Sequence, residues 1–292
     1  MATIRVGNLL RSNSEQDGGV PCTGSAKLLA VKIPGMEYRE LLGNLARREV
    51  RGRYKGSFFG LLWTLVIPLA LMATYTLVFS VLWQVASVPH YSLFLLIGLA
   101  FWMFFGGGII AAATSLHQNS GLIKKVWFPR AIIPLVAMTS PAITMGVMLA
   151  IIIPFSLVFT QGSSFAMLML PIVLLGAAML VLGISLALSV LNVFFRDVEH
   201  IVAALLIPWF FLTPIIYTLD SLAPLQSREW ARYLLEYGNF VTPYVLALQD
   251  VLYWGRLPSA PVLTFVLGFG AVVLAAGYSL FMRLQRDLAV EL

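Results

Sequence analysis

The chain has 292 residues, of which 60% are hydrophobic and 11% charged, and its formal net charge is +6. With a mean hydropathy of +0.90, this composition excludes an ordinary soluble domain and leaves little room for a soluble catalytic domain beside a membrane one. The cations flank apolar runs, so they point to membrane topology rather than to nucleic-acid binding.

Residues 1–35, rich in Ser, Gly and Asn and closed by Pro34-Gly35, are expected to form a flexible cytoplasmic tail. Cys22 lies in it and is the single cysteine, so no intrachain disulfide can form. Residues 36–57 are expected to form an amphipathic interfacial helix. Tyr38, Leu41, Leu42, Leu45 and Ala46 recur at helical spacing, while Arg39, Arg47, Arg48 and Arg51 take the other face. A basic amphipathic helix of this kind lies among lipid head groups. Two readings of it stand side by side: an anchor that fixes topology, and a gating lever in contact with a cytoplasmic partner.

From Gly56 to Ile123, and again from Ala131 to Phe195, the chain carries no Asp, Glu, Lys or Arg. Only a hydrocarbon solvent makes such stretches sensible, and a span takes about 20 apolar residues. Six spans are predicted within residues 58–282: about 58–83, 92–115, 131–159, 165–194, 201–217 and 261–282. The third carries Pro134, Pro141 and Pro154, and the fifth is short and carries Pro208 and Pro214, so kinks or breaks are expected there. The fold class is thus an all-α integral membrane protein, with residues 283–292 as a cytoplasmic C-terminal tail. Six spans put both termini on one side. Sixteen of the nineteen Lys and Arg then share that side, and Arg228, Arg232 and Arg256 face the other. The positive-inside rule makes the richer side the cytoplasm.

Aromatic residues recur along two spans. Tyr75, Phe79 and Trp83 stand four residues apart, and Phe94, Phe101 and Phe105 share one face. Such faces can stack on sugar rings, but they equally suit lipid or core packing. The loop 116–130 mixes Lys124, Lys125 and Arg130 with Trp127 and Phe128, a combination suited to docking in a partner's cleft or to fixing topology. Phe195-Arg196-Asp197-Val198-Glu199-His200 reads as a compact charged turn. The last outside loop, 218–260, holds apolar stretches too short to span, which fit re-entrant or surface half-helices. Gly106-Gly107-Gly108 and the pair Gly268, Gly270 permit close helix approach.

No G-x-x-x-x-G-K-[ST] run occurs, so ATP cannot bind this chain through a P-loop. His90, His117 and His200 are isolated, without metal-ligand spacing. No ionisable Asp, Glu, Lys or Arg lies deep in a predicted span, which disfavours an ion-coupled carrier. No catalytic, cofactor or metal residues are assigned.

Four segments carry a family resemblance. Arg47-Arg48-Glu49-Val50-Arg51-Gly52-Arg53-Tyr54-Lys55-Gly56-Ser57 leads into Gly60-Leu61-Leu62-Trp63-Thr64-Leu65-Val66-Ile67-Pro68-Leu69. Next come Gly121-Leu122-Ile123-Lys124-Lys125-Val126-Trp127-Phe128-Pro129-Arg130 with Pro134-Leu135, then Leu191-Asn192-Val193-Phe194-Phe195-Arg196-Asp197-Val198, then Phe210-Phe211-Leu212-Thr213-Pro214-Ile215-Ile216-Tyr217. In this order they resemble type 2 ABC exporter permeases, specifically the branch that exports O-antigen, capsule or teichoic acid.

The resemblance implies a transport subunit in the cytoplasmic (inner) membrane of a bacterium, working as a homodimer on a lipid-linked glycan. A separate ABC ATPase subunit would bind ATP and Mg²⁺. It further implies that Lys124, Lys125, Trp127 and Arg130 contact that subunit. Tyr38, Leu41, Arg47, Arg48 and Arg51 would then form the gating helix, and the two aromatic faces would line the glycan path. Exporters of a drug or small lipid, and a membrane enzyme acting on a lipid-linked sugar, are the alternatives. A neighbouring gene for a P-loop ATPase separates transport from enzymology.

Overall fold

In hydrocarbon, a charge-free run must satisfy its backbone internally, and helices do this within a single segment. The computed structural model describes residues 43–49, 52, 60–82, 88–125, 128–159, 164–221, 229–285 and 288, and every regular element among them is helical. These residues belong to one unit, 40–292. In chain order the elements are α1 (43–49), α2 (Trp63–Leu82), α3 (Tyr91–Gln118), α4 (Ser120–Lys125) and α5 (Ile132–Phe159). They continue with α6 (Phe165–Phe194), α7 (Val198–Leu212), α8 (229–238), α9 (242–254) and α10 (Ala260–Leu284). The tail 1–35, most of 36–57 and 289–292 lie outside the described residues.

Five of these helices, α2, α3, α5, α6 and α10, are long and apolar enough to cross a membrane. The sequence predicts six such runs. The difference falls on the fifth, where α7 is a 15-residue helix that stops at Leu212. The stop has a local cause: Thr213 precedes Pro214, and the proline ring drives the residue before it out of the α region. Thr213 accordingly takes φ −95° and ψ 135°, and its hydroxyl donates to the Trp209 carbonyl at 2.9 Å. In α5 the helix breaks at Met138, beside the carbonyl of Ala137 that the ring of Pro141 obstructs.

The centre of the bundle is α3, which carries apolar side chains all round and buries most of them. Around it pack α2, α5, α6, α7 and α9. The tightest pair is α6 with α10. A Cβ placed on Gly183 would lie 2.4 Å from the Val273 carbonyl oxygen, and one placed on Gly277 would lie 2.0 Å from the Gly183 carbonyl oxygen. The two backbones therefore touch, which only small residues allow.

The α9 helix sits inside the bundle. Tyr244, Val245, Leu248, Val251 and Leu252 are buried. The Tyr244 ring lies parallel to Phe101, with centroids 6.0 Å apart and planes 6° apart, and its hydroxyl donates to the Val266 carbonyl at 3.0 Å. The Gln249 amide donates to the Pro214 carbonyl at 3.1 Å. The Tyr253 hydroxyl donates to the Pro89 carbonyl, and the Ser156 hydroxyl to the Leu252 carbonyl. These bonds tie α9 to α5, to α10, to the residues before α3 and to those after α7, so this apolar stretch is a built-in element.

Candidate functional site

One end of the bundle carries α1, α4 and the close of α10. In α1, Leu45 and Ala46 are half-buried, whereas Arg47 and Arg48 are exposed. The Arg48 guanidinium donates to the Asn119 side-chain carbonyl at 3.3 Å, which fastens α1 to the end of α3. Between them lies a cavity of about 90 Å³ walled by Leu45, Arg48, Glu49, Ser115 and Val136. Tyr38, Leu41 and Arg51 lie outside the described residues.

In the following loop Lys124 is exposed, while Trp127 and the side chain of Lys125 fall outside the described residues. Phe128 differs from the exposed docking aromatic that the sequence suggests: it is only 7% exposed, packed inward as a plug. Arg130 donates to the backbone carbonyl of Gln285 just past α10. A cation at a helix C-terminus satisfies a free carbonyl and complements the helix dipole. Phe128 and Arg130 therefore hold the far end of the loop to the bundle, and Lys124 stands on the near end.

A buried amide at the same end was not singled out from the sequence. Asn192 donates to the Ala113 carbonyl at 3.1 Å and to a Glu199 carboxylate oxygen at 3.3 Å, and its own carbonyl accepts the Glu199 N–H at 3.1 Å. One side chain thus joins α6, α3 and the start of α7, and satisfies an N–H that the first turn of α7 leaves free. The available signal was a polar amide near the end of a long apolar run. The charged turn at 195–200 is tied to α6 through Glu199, whose carboxylate and N–H both meet Asn192, and that carboxylate also lies 3.7 Å from the His200 ring nitrogen.

The aromatic residues divide into two layers. Tyr75 and Phe79 are half-buried on α2, and Trp83 lies outside the described residues. Phe94, Phe101 and Phe105 are at most 1% exposed. Phe94 meets Tyr253 edge-on at 5.3 Å, and Phe105 meets Trp209 edge-on at 5.8 Å. The layers connect: Tyr75 stacks on Phe210 at 5.8 Å, Phe210 meets Trp102 at 5.6 Å, and Trp102 meets Phe105 at 5.6 Å.

At the opposite end, the Arg256 Nε–H donates to an Asp250 carboxylate oxygen at 2.7 Å, the guanidinium and the carboxylate form an ion pair, and that guanidinium also lies 5.6 Å above the Trp254 ring. Burial pushes the Asp250 carboxyl up, Arg256 opposes this, and the nearby Glu236 charge adds to the rise.

Residues 40–253 match the family model described as ABC-2 type transporter. The chain is 30% identical to an O-antigen export system permease protein of Myxococcus xanthus over 253 residues, covering 87% of this chain and 95% of that protein. Two proteins of the same description from Klebsiella pneumoniae are 29% identical over 248 residues and 28% identical over 247 residues. In both cases the match covers 84% of this chain and 92% of the relative.

Proposed function

This chain belongs to the ABC-2 type transporter family, and from that premise we propose that it is the membrane subunit of an exporter for a lipid-linked polysaccharide of the O-antigen kind. It is a transport subunit, not an enzyme. The ATPase that drives it is a separate polypeptide, in keeping with the lack of a P-loop in the sequence. One observation carries the substrate class: the likeness to O-antigen export permeases extends over 95% of the length of the Myxococcus xanthus relative.

The finer reading follows from charge and length. Both termini lie in the cytoplasm, supported by the uneven distribution of Lys and Arg. The α7 helix is the fifth crossing in chain order and brings the number to six: its 15 residues reach about 22 Å against a hydrocarbon core of about 30 Å, and the residues after Leu212 complete the passage. The α8 and α9 helices form a re-entrant pair, which the burial of Tyr244, Val245 and Leu248 supports. Residues 36–57, including Tyr38, Leu41, Arg47, Arg48 and Arg51, act as an interfacial lever, linked to the bundle through Arg48 and Asn119. Lys124, Lys125 and Trp127 meet the ATPase, on a loop that Arg130 braces. Two copies of the chain enclose the path. Its wall is Tyr75, Phe79 and Trp83, with Phe94, Phe101 and Phe105 as the rigid layer behind.

Deleting the gene in its own bacterium tests this reading. The expected result is loss of long surface polysaccharide, retention of the lipid-linked polymer inside the cell, and recovery on complementation. Surface polysaccharide of unchanged amount and length rejects it.

A further inference from the structure

At the Trp254 end of the bundle, away from α1 and α4, lies a cavity of about 340 Å³ between α8, α9 and the start of α10. Its volume falls in the range of about 300–1,000 Å³ typical of small-molecule sites. Its wall includes Trp254, Gln249, Asp250, Glu236, Arg232 and Arg256. We infer that this cavity is a subsite that holds a sugar residue of the exported polymer as it leaves the bundle. The inference rests on the export reading and adds where, on this chain, the polymer is gripped.

The chemistry of the wall selects for a hydroxyl-rich, uncharged ligand. The two carboxylates and two guanidiniums in the wall balance one another, so the cavity has no net charge with which to concentrate an anion or a cation. A sugar hydroxyl both donates and accepts. It can give its hydrogen to Asp250 or Glu236 and take one from Arg232 or Arg256. Trp254 remains 39% exposed, so an indole surface is open beside these groups, and a rigid aromatic offers contact area at low entropic cost.

The groups are also held in place before a ligand arrives. Gln249 is fixed on the Pro214 carbonyl. Asp250 is fixed by Arg256, which in turn lies over the Trp254 ring. The Tyr253 ring stands at 84° to the Trp254 ring with centroids 4.7 Å apart, which limits the indole further. Preorganised groups lose little freedom on binding. Phe94 also borders the cavity, so the inner aromatic layer of α3 reaches it.

The test uses the permease assembled with its ATPase partner in lipid nanodiscs. The probe is the strain's own surface polysaccharide, freed of lipid by mild acid. Saturation-transfer NMR and calorimetry should detect saturable binding. Trp254→Leu should weaken it about tenfold or more, the effect expected for removing one well-placed anchor, and Arg232→Gln, a change at an exposed position, should weaken it as well. Size-exclusion profiles establish that each variant assembles; if Trp254→Leu does not, Arg232→Gln decides alone. Absence of binding by the intact complex, or equal binding by assembled variants, overturns the subsite. The export reading then still stands or falls on the gene deletion, which does not depend on this cavity.

Discussion

Gly277→Val is expected to abolish the folded bundle. A Cβ on Gly277 would stand 2.0 Å from the carbonyl oxygen of Gly183 and 2.7 Å from its carbonyl carbon. These are backbone atoms of a helix, so no side-chain rotation relieves the overlap and α6 and α10 must move apart. Overpacking of a repackable core costs about 1–3 kcal/mol. Here the whole contact between a 30-residue helix and a 25-residue one is forced open, so we expect a loss above that range, against a total stability of about 5–15 kcal/mol. Gly183→Val should behave alike, since its Cβ would meet the Val273 carbonyl at 2.4 Å. Gly268→Ala is the control on the same helix: nothing lies within 4 Å of its Cβ position. That change should be neutral or slightly stabilising, within about 1 kcal/mol. The yield of monodisperse protein in detergent, with its thermal midpoint, reads all three. Equal behaviour of Gly277→Val and Gly268→Ala contradicts the backbone contact.

The second large effect is expected from Lys124→Glu combined with Lys125→Glu. Lys124 is exposed at the end of α4. The loop beyond it is pinned by buried Phe128 and by Arg130 on the Gln285 carbonyl. Lys124 thus stands beside a braced segment, and reversing it together with its neighbour should disturb the partner's docking while leaving the bundle intact. A like-charge juxtaposition at an interface costs several kcal/mol, so association of the purified ATPase with the permease should weaken about tenfold or more. Charge-neutral Lys124→Gln with Lys125→Gln should fall between wild type and the reversed pair. Unchanged association of the reversed pair places the docking surface elsewhere.

Much of the bundle was legible because hydrocarbon leaves so few choices. The second predicted span, 92–115, lies inside α3 (Tyr91–Gln118), and the fourth coincides with α6. In the fifth the helix stops before the apolar run does, because hydropathy continues through Ile215 and Ile216 whereas the backbone obeys Pro214. Of the glycines that the sequence points to, Gly270 does pack closely, its Cβ position 2.9 Å from the Gly176 carbonyl oxygen, whereas among 106–108 only Gly108 is tightly approached, at 3.0 Å by the Val181 side chain. The closest contacts belong to Gly176 and Gly183 facing Gly270 and Gly277, each pair seven residues apart, or two helical turns. That spacing is readable in the sequence once two helices are known to be partners, and partnership is what a single sequence does not carry.

The aromatic faces had the same difficulty. Periodicity places Phe94, Phe101 and Phe105 on one side of α3, but core and conduit look equally apolar. Burial separates them from Tyr75 and Phe79. Asn192 was overlooked because its partners, Ala113 and Glu199, come from two other helices.

The central claim is ATP-driven movement of a lipid-linked polysaccharide. Its most direct test reconstitutes the permease and its ATPase in lipid vesicles with the strain's lipid-linked polymer, ATPase facing outward, and follows the polymer with a membrane-impermeant glycosidase added outside. Export predicts that ATP moves polymer into the vesicle lumen, away from the enzyme, and that neither subunit alone does so. Polymer that stays fully cleavable despite active ATP hydrolysis by the assembled complex contradicts the account.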